Sequence, residues 1–109
     1  MNKRIVFPEG DNEKVIRAAA QLFEERICFP ILLGKEERIH NMVEELGLHF
    51  DYEVYNPPTD PRRKTVYADS FFHKRQRKGI TLADAQRLMR SRPYFASQMV
   101  VQGDADGFV

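Results

Sequence analysis

The residues best suited to binding chemistry form one basic run, His73-Lys74-Arg75-Gln76-Arg77-Lys78. At helical spacing Arg75 and Lys78 share a face. The fork of an arginine beside the point charge of a lysine can hold a phosphate or pyrophosphate group. Cations in the last turn of a helix also complement the helix dipole without any ligand. The residue types alone therefore leave two interpretations open, an anion site and a solvated helix end, and the second is the commoner one.

A second candidate is the turn after the first apolar run, Phe7-Pro8-Glu9-Gly10-Asp11-Asn12. Open α/β sheets bind ligands where a strand ends and a helix begins. This turn has one glycine, no Gly-x-Gly-x-x-Gly and no Gly-Lys-Ser/Thr, and its acidic side chains would repel phosphate. The favoured interpretation is a capped turn, with Glu9 as a residue of the cleft the alternative.

Other familiar catalytic patterns are missing from the sequence. Its three histidines, His40, His49 and His73, have no carboxylate or cysteine at ligand spacing, so we expect no metal site. There is no Gly-x-Ser-x-Gly, and the single cysteine, Cys28, lies in an apolar stretch that favours core packing over nucleophilic chemistry. We therefore expect no catalytic residue in these 109 positions.

The elements that position these residues alternate between strands and helices, which favours an α/β fold with a parallel sheet. The predicted strands cover residues 5–7, 30–34, 52–55 and the last apolar run. The first helix has a predicted buried stripe of Val15, Ala18, Ala19, Leu22 and Arg26, and the second a stripe of Ile39, Met42, Val43 and Leu46. A loop follows over residues 56–64, then a helix from Thr65 to Lys78, one capped by Thr81, and one with Pro93 in its first turn.

Length, composition and charge narrow the class of protein. The chain is long enough for one domain, and no apolar run approaches the ~20 residues of a membrane helix. A lone cysteine favours a reducing compartment, so we expect a cytoplasmic protein without membrane contact.

Residues 62–92 hold 10 Lys or Arg against 2 Asp or Glu, although the whole chain has a net charge of only +1. Nucleic acid is not an expected partner, because this basic segment lacks a recognisable reading motif.

Five segments together resemble the phosphate acetyl/butyryltransferase family. In chain order they are residues 3–10 (KRIVFPEG), 15–19 (VIRAA), 30–34 (PILLG), 75–81 (RQRKGIT) and 103–109 (GDADGFV). The resemblance implies a three-layer αβα fold, similar to isocitrate dehydrogenase, in which residues 1–109 are the truncated first lobe. It implies acyl transfer between coenzyme A and phosphate in a cleft between two lobes. Arg75 matches an arginine of the family that is linked to binding coenzyme A or substrate, and Lys78 and Arg77 are its neighbours.

Within this family, residues 72–82 and 92–96 look most like the C-terminal domain of NADP-dependent malic enzymes. That resemblance implies a regulatory domain that responds to acetyl-CoA, forms a homo-oligomer and follows an upstream catalytic domain. The parent would convert malate to pyruvate with NADP and a divalent metal, Mg or Mn, bound outside this segment, which alone would be inactive. The alternative is a piece of a stand-alone phosphate acetyltransferase, which moves an acetyl group between acetyl phosphate and coenzyme A.

Overall fold

A computed structural model describes residues 3–109 of the chain and contains a four-stranded sheet in which every pairing is parallel. The strands are β1 (Arg4–Phe7), β2 (Phe29–Leu33), β3 (Glu53–Tyr55) and β4 (Gly107–Phe108), arranged in the order β3-β2-β1-β4. Val6 pairs with Ile31 on one side and with Phe108 on the other, so β1 is an inner strand. The α/β fold predicted from the sequence is confirmed.

Helices cover both faces of this sheet. They are α1 (Glu13–Glu24), α2 (Glu36–Glu45), α3 (Val66–Arg75), α4 (Leu82–Leu88) and α5 (Arg92–Val101), with two short 3-10 helices at Pro61–Lys64 and Gln76–Lys78. The first two helices share a core with one face of the sheet, and α3, α4 and α5 share a core with the other. This arrangement confirms the expected three αβα layers.

The alternation of side chains along the strands builds these two cores. Phe7 and Leu32 face α1 and α2, where they meet Ile16 and Ile39. Their neighbours Val6, Ile31 and Leu33 face the other way, toward a cluster contributed mainly by α3, α4 and α5: Tyr67, Ala68, Ala85, Met89, Phe95, Ala96 and Met99. Strand residues that are buried on both faces explain why the sequence reads as continuous apolar runs rather than as an alternating pattern.

The helix starts follow the capping residues in the sequence. The side chain of Asn12 accepts hydrogen bonds from the backbone N–H groups of Lys14 and Val15, which satisfies the free donors at the start of α1. Thr81 and Asp84 form a reciprocal capping box at the start of α4. Pro93 lies in the first turn of α5, where the missing N–H is not needed. All three starts were predictable from residue type alone.

Two details of the predicted helices are wrong. The buried stripe of α1 consists of Ile16, Ala19 and Ala20, whereas Ala18 and Arg26 are exposed, because both flanks of an alanine-rich helix fit the same pattern. The helix over the basic run ends at Arg75, and the chain tightens into a 3-10 turn that Gly79 closes with a φ of 82°. Arg75 and Lys78 therefore do not lie one α-helical turn apart.

The helices described by the structure, over residues 3–109, are all too short or too polar to span a lipid bilayer.

Candidate functional site

A crevice opens where the order of the strands reverses. The chain runs from β1 outward to β2 and β3, then returns to place β4 on the opposite side of β1. At such a reversal the loops after two neighbouring strands diverge, which leaves a gap at their carboxyl ends. A pocket of about 330 Å³ lies there, lined by Phe7, Pro8, Glu9, Val15, Pro93, Phe108 and Val109. Glu9 is the one charged side chain of this lining, so the structure places it in the cleft, the role considered second from the sequence.

An ion pair fixes the wall of this crevice. Arg92, the first residue of α5, donates through Nη1 to Asp11 Oδ1 at 2.7 Å and through Nη2 to Asp11 Oδ2 at 3.0 Å. The same guanidinium reaches the carbonyl oxygen of Pro8 at 3.3 Å. The hydrogen bonds from Arg92 lower the pKa of the Asp11 carboxyl, so this pair stays charged at neutral pH. Arg92 thus joins the turn after β1 to the start of α5.

Close backbone packing also holds the turn after β1. Gly10 donates its N–H to the carbonyl oxygen of Leu33, and a Cβ atom at this position would lie only 2.6 Å from the Leu33 nitrogen. Only glycine lets the turn approach β2 this closely. The single glycine of this turn therefore serves close packing between two backbones.

The three predicted ligand residues lie together at the end of α3. Arg75 is the last residue of that helix, and Arg77 and Lys78 belong to the 3-10 turn that follows. All three are exposed, and within the described part of the chain none has a carboxylate within 4 Å. The guanidinium of Arg75 lies 5.3 Å from the centre of the Phe71 ring, a cation–π contact that orients the fork without neutralising it. These charges remain available to an anion.

Arg62, another arginine of the same basic segment, is paired with a carboxylate of this chain. The guanidinium of Arg62 donates twice to Asp60, each time at 2.9 Å, and lies 4.4 Å from the centre of the Tyr55 ring. Tyr67 donates to Asp104 beside it at 2.5 Å, and burial raises the pKa of the Tyr67 hydroxyl. Arg62 is therefore a structural residue, which its position in a proline-rich stretch did not indicate.

Other potential reactive groups are distant from one another or shielded. Cys28 is buried, and this burial raises the pKa of its thiol, which disfavours the nucleophilic thiolate. Across residues 3–109 no three His, Cys, Asp or Glu side chains come close enough together to hold a metal ion. The chemistry within reach of these residues is therefore the binding of an anion at Arg75, Arg77 and Lys78 and of an apolar group in the crevice.

The comparison with protein families agrees with this arrangement of strands and helices. The family described as phosphate acetyl/butaryl transferase matches residues 1–109. The chain belongs to this family. The resemblance drawn from five short segments is thus confirmed.

Relatives within the family carry two different names. The chain is 39% identical to a phosphate acetyltransferase of Corynebacterium glutamicum and covers 33% of that protein's length with 99% of its own. It is 34% identical to an NADP-dependent malic enzyme of Escherichia coli, of which it covers 15% with 98% of its own length. A solved phosphotransacetylase from Streptococcus pyogenes superimposes with a TM-score of 0.89 at 39% identity, over 98% of this chain and 32% of that one. The chain thus spans about a third of the length of these transferases.

These matches bear on the choice between the two kinds of protein considered from the sequence. Both kinds contain a region similar to the whole chain, so the phosphate acetyltransferase-like character is established. The identity to the Corynebacterium transferase exceeds the identity to the Escherichia malic enzyme, and the solved structure is a phosphotransacetylase. The comparisons therefore favour the stand-alone transferase over the malic enzyme that residues 72–82 and 92–96 suggested.

Proposed function

We propose that residues 1–109 are the first lobe of a phosphate acetyltransferase and help to bind coenzyme A there. The observation that carries this proposal is the match along the whole chain to named transferases, at a higher identity than the match to a malic enzyme.

In the reaction the thiol of coenzyme A attacks the carbonyl carbon of acetyl phosphate. A C–S bond forms, the C–O bond to phosphate breaks, phosphate leaves with the electron pair, and the thiol gives up its proton.

The part of this chain in that reaction is binding. Arg75 presents a planar fork suited to phosphate oxygens, and Arg77 and Lys78 add positive charge beside it. Coenzyme A carries phosphates at its nucleotide end, and these exposed cations, which have no carboxylate partner among residues 3–109, suit such a group. The apolar lining of the crevice beside Glu9 suits the uncharged arm of the same molecule. No residue of this chain is assigned to the chemical step.

The role of Arg75 is testable by calorimetry, with coenzyme A titrated into the intact protein that contains these residues. Charge-assisted hydrogen bonds contribute about 1.5–3 kcal/mol, so Arg75→Ala should weaken binding roughly tenfold or more. Arg90→Ala is the matched control, because Arg90 is an exposed arginine of the same basic segment and should leave the affinity unchanged. Equal affinities for Arg75→Ala and the unaltered chain would remove Arg75 from the site.

The second candidate function is the regulatory domain of a malic enzyme, which the match over 98% of the chain to the Escherichia protein favours. Acetyl-CoA would then bind at Arg75 as an effector, and the domain would form a homo-oligomer. The oxidation of malate, with NADP and Mg or Mn, would take place in an upstream domain. A protein that oxidises malate and lacks acetyl transfer would establish this candidate in place of the first.

A further inference from the structure

Two aromatic side chains stand beside the basic helix end. The guanidinium of Arg75 lies near the ring of Phe71. Phe71 also contacts the ring of Tyr94 edge to face, with the two ring centroids 5.6 Å apart and an interplanar angle of 89°. Phe71 is half-buried, whereas Tyr94 is 42% exposed. The rigid contact with Phe71 orients Tyr94 and leaves a large part of this tyrosine open to solvent.

Tyr94 belongs to the first turn of α5, the helix whose Pro93 lines the crevice at the reversal of strand order. It directly follows Pro93, which lines that crevice, and Arg92, which anchors the start of α5 on Asp11. Through Phe71 the exposed ring of Tyr94 lies near the cation of Arg75, and the residue before Tyr94, Pro93, lines the apolar pocket. Coenzyme A has three matching parts, namely phosphates, a purine base and an uncharged arm.

We propose that Tyr94 is the platform on which the adenine base of coenzyme A stacks, with its ring held by the edge-to-face contact with Phe71. This inference rests on the proposed function, because it assumes that Arg75 binds the phosphates of the same ligand. Stacking on an aromatic ring needs only the flat face of the base and places no demand on hydrogen bonding. Tyr94 would then determine specificity for the nucleotide part of the ligand, independently of the arm that carries the thiol.

The test compares three ligands on the intact protein that contains these residues: coenzyme A, adenosine 3′,5′-bisphosphate and 4′-phosphopantetheine. Tyr94→Leu keeps an apolar contact with Phe71 but removes the aromatic face, and Tyr94→Phe keeps that face. Stacking of a base on a partly exposed ring is weaker than stacking on a buried one. We therefore expect Tyr94→Leu to weaken coenzyme A and the bisphosphate by about 5- to 10-fold. Tyr94→Phe should bind both normally, and neither variant should alter the affinity for 4′-phosphopantetheine, which lacks a base.

The outcomes separate this inference from the proposed function. If Arg75→Ala weakens coenzyme A and Tyr94→Leu does not, the platform is wrong while the phosphate site stands. Equal weakening of all three ligands by Tyr94→Leu would also overturn the platform, because the effect would then not depend on the base. If the unaltered intact protein binds none of them, both proposals fail. Thermal unfolding of each variant establishes that the protein tested is folded.

Discussion

Arg62 and Arg75 belong to one basic segment and have opposite surroundings. Arg62 is enclosed by aromatic rings and paired with Asp60, and this pairing raises its pKa further above its ordinary value. Arg75 touches one ring and no carboxylate within the described residues. Removal of Arg62 would leave Asp60 as a carboxylate without its partner, whereas removal of Arg75 leaves nothing unsatisfied. Arg75 is therefore the arginine whose charge is free for a ligand.

Glu53 is the residue whose ionisation contributes most clearly to folding. It accepts two hydrogen bonds from Arg4, each at 2.9 Å, and one from the Tyr55 hydroxyl at 2.5 Å. These contacts, led by the bonds from Arg4, lower its pKa from 4.5 to about 2. Because folding lowers this pKa, the stabilisation is complete above the pKa of the unfolded chain and is lost as the pH falls toward 2.

This lowered pKa predicts an acid-sensitive ion pair. The melting temperature of the unaltered chain should fall more steeply between pH 5 and pH 2 than that of Glu53→Gln, in which the carboxylate is absent at every pH. Glu45→Gln removes an exposed glutamate of α2 and should follow the unaltered chain. Thermal unfolding followed by circular dichroism measures the three profiles. Parallel profiles for Glu53→Gln and the unaltered chain would show that this carboxylate does not stabilise the fold.

Single residues differ in how far the sequence predicts their roles. Asn12 and Thr81 act within a few positions of themselves, so the sequence predicted Thr81 as a cap and predicted a capped turn over the residues that include Asn12. Arg92 is paired with Asp11, 81 positions away, and Arg62 is enclosed by rings from other elements, so the charges of both counted as free in the sequence. The formal charge of the basic segment therefore overstates the charge that a ligand meets.

At the scale of elements, the start of α5 is tied to the turn that leads into α1. The Arg92–Asp11 pair joins two helices on opposite faces of the sheet, over the carboxyl ends of the strands. Its side chains are 32% and 23% exposed, so water screens the pair only in part. A bidentate pair in such a position holds two elements in one relative orientation.

A double-mutant cycle tests this connection between α1 and α5. Asp11→Asn, Arg92→Met and the double variant should give a coupling free energy of about 1–2 kcal/mol in urea unfolding, typical of charge-assisted bonds with partial exposure. Arg38 lies 3.8 Å from the same Asp11 carboxylate but is 65% exposed, so the matched pair Asp11→Asn and Arg38→Met should couple far more weakly. Coupling near zero for Arg92 would mean that the pair does not hold the crevice wall.

The boundaries of helices and strands were predicted well where neighbouring residues determine them and poorly elsewhere. The strands and the capped helix starts follow from apolar runs and capping side chains, and they were predicted within a few residues. The end of α3 was missed because residues 76–78 keep helical character in a tighter 3-10 turn, which basic composition does not indicate. The buried face of α1 was missed because alanines occupy several adjoining positions of that helix.

At the scale of the whole molecule, the crevice follows from the order of the strands. The sequence predicted a parallel sheet with helical crossovers, but it did not predict that β4 would pair with β1 rather than extend the sheet beyond β3. That pairing creates the reversal and brings Phe7, Glu9 and Phe108 to one pocket. Residues 8 and 108 lie too far apart in sequence for a local pattern to relate them, so the site required the structure.

The central claim is that this lobe belongs to an acetyltransferase. The most direct test supplies acetyl phosphate and coenzyme A to the intact protein that contains these residues and measures the acetyl-CoA and phosphate formed. We predict turnover, with a KM for coenzyme A that rises in Arg75→Ala and is unchanged in Arg90→Ala. Absence of acetyl-CoA, together with NADP-dependent conversion of malate to pyruvate by the same protein, would contradict the claim and establish the malic enzyme instead.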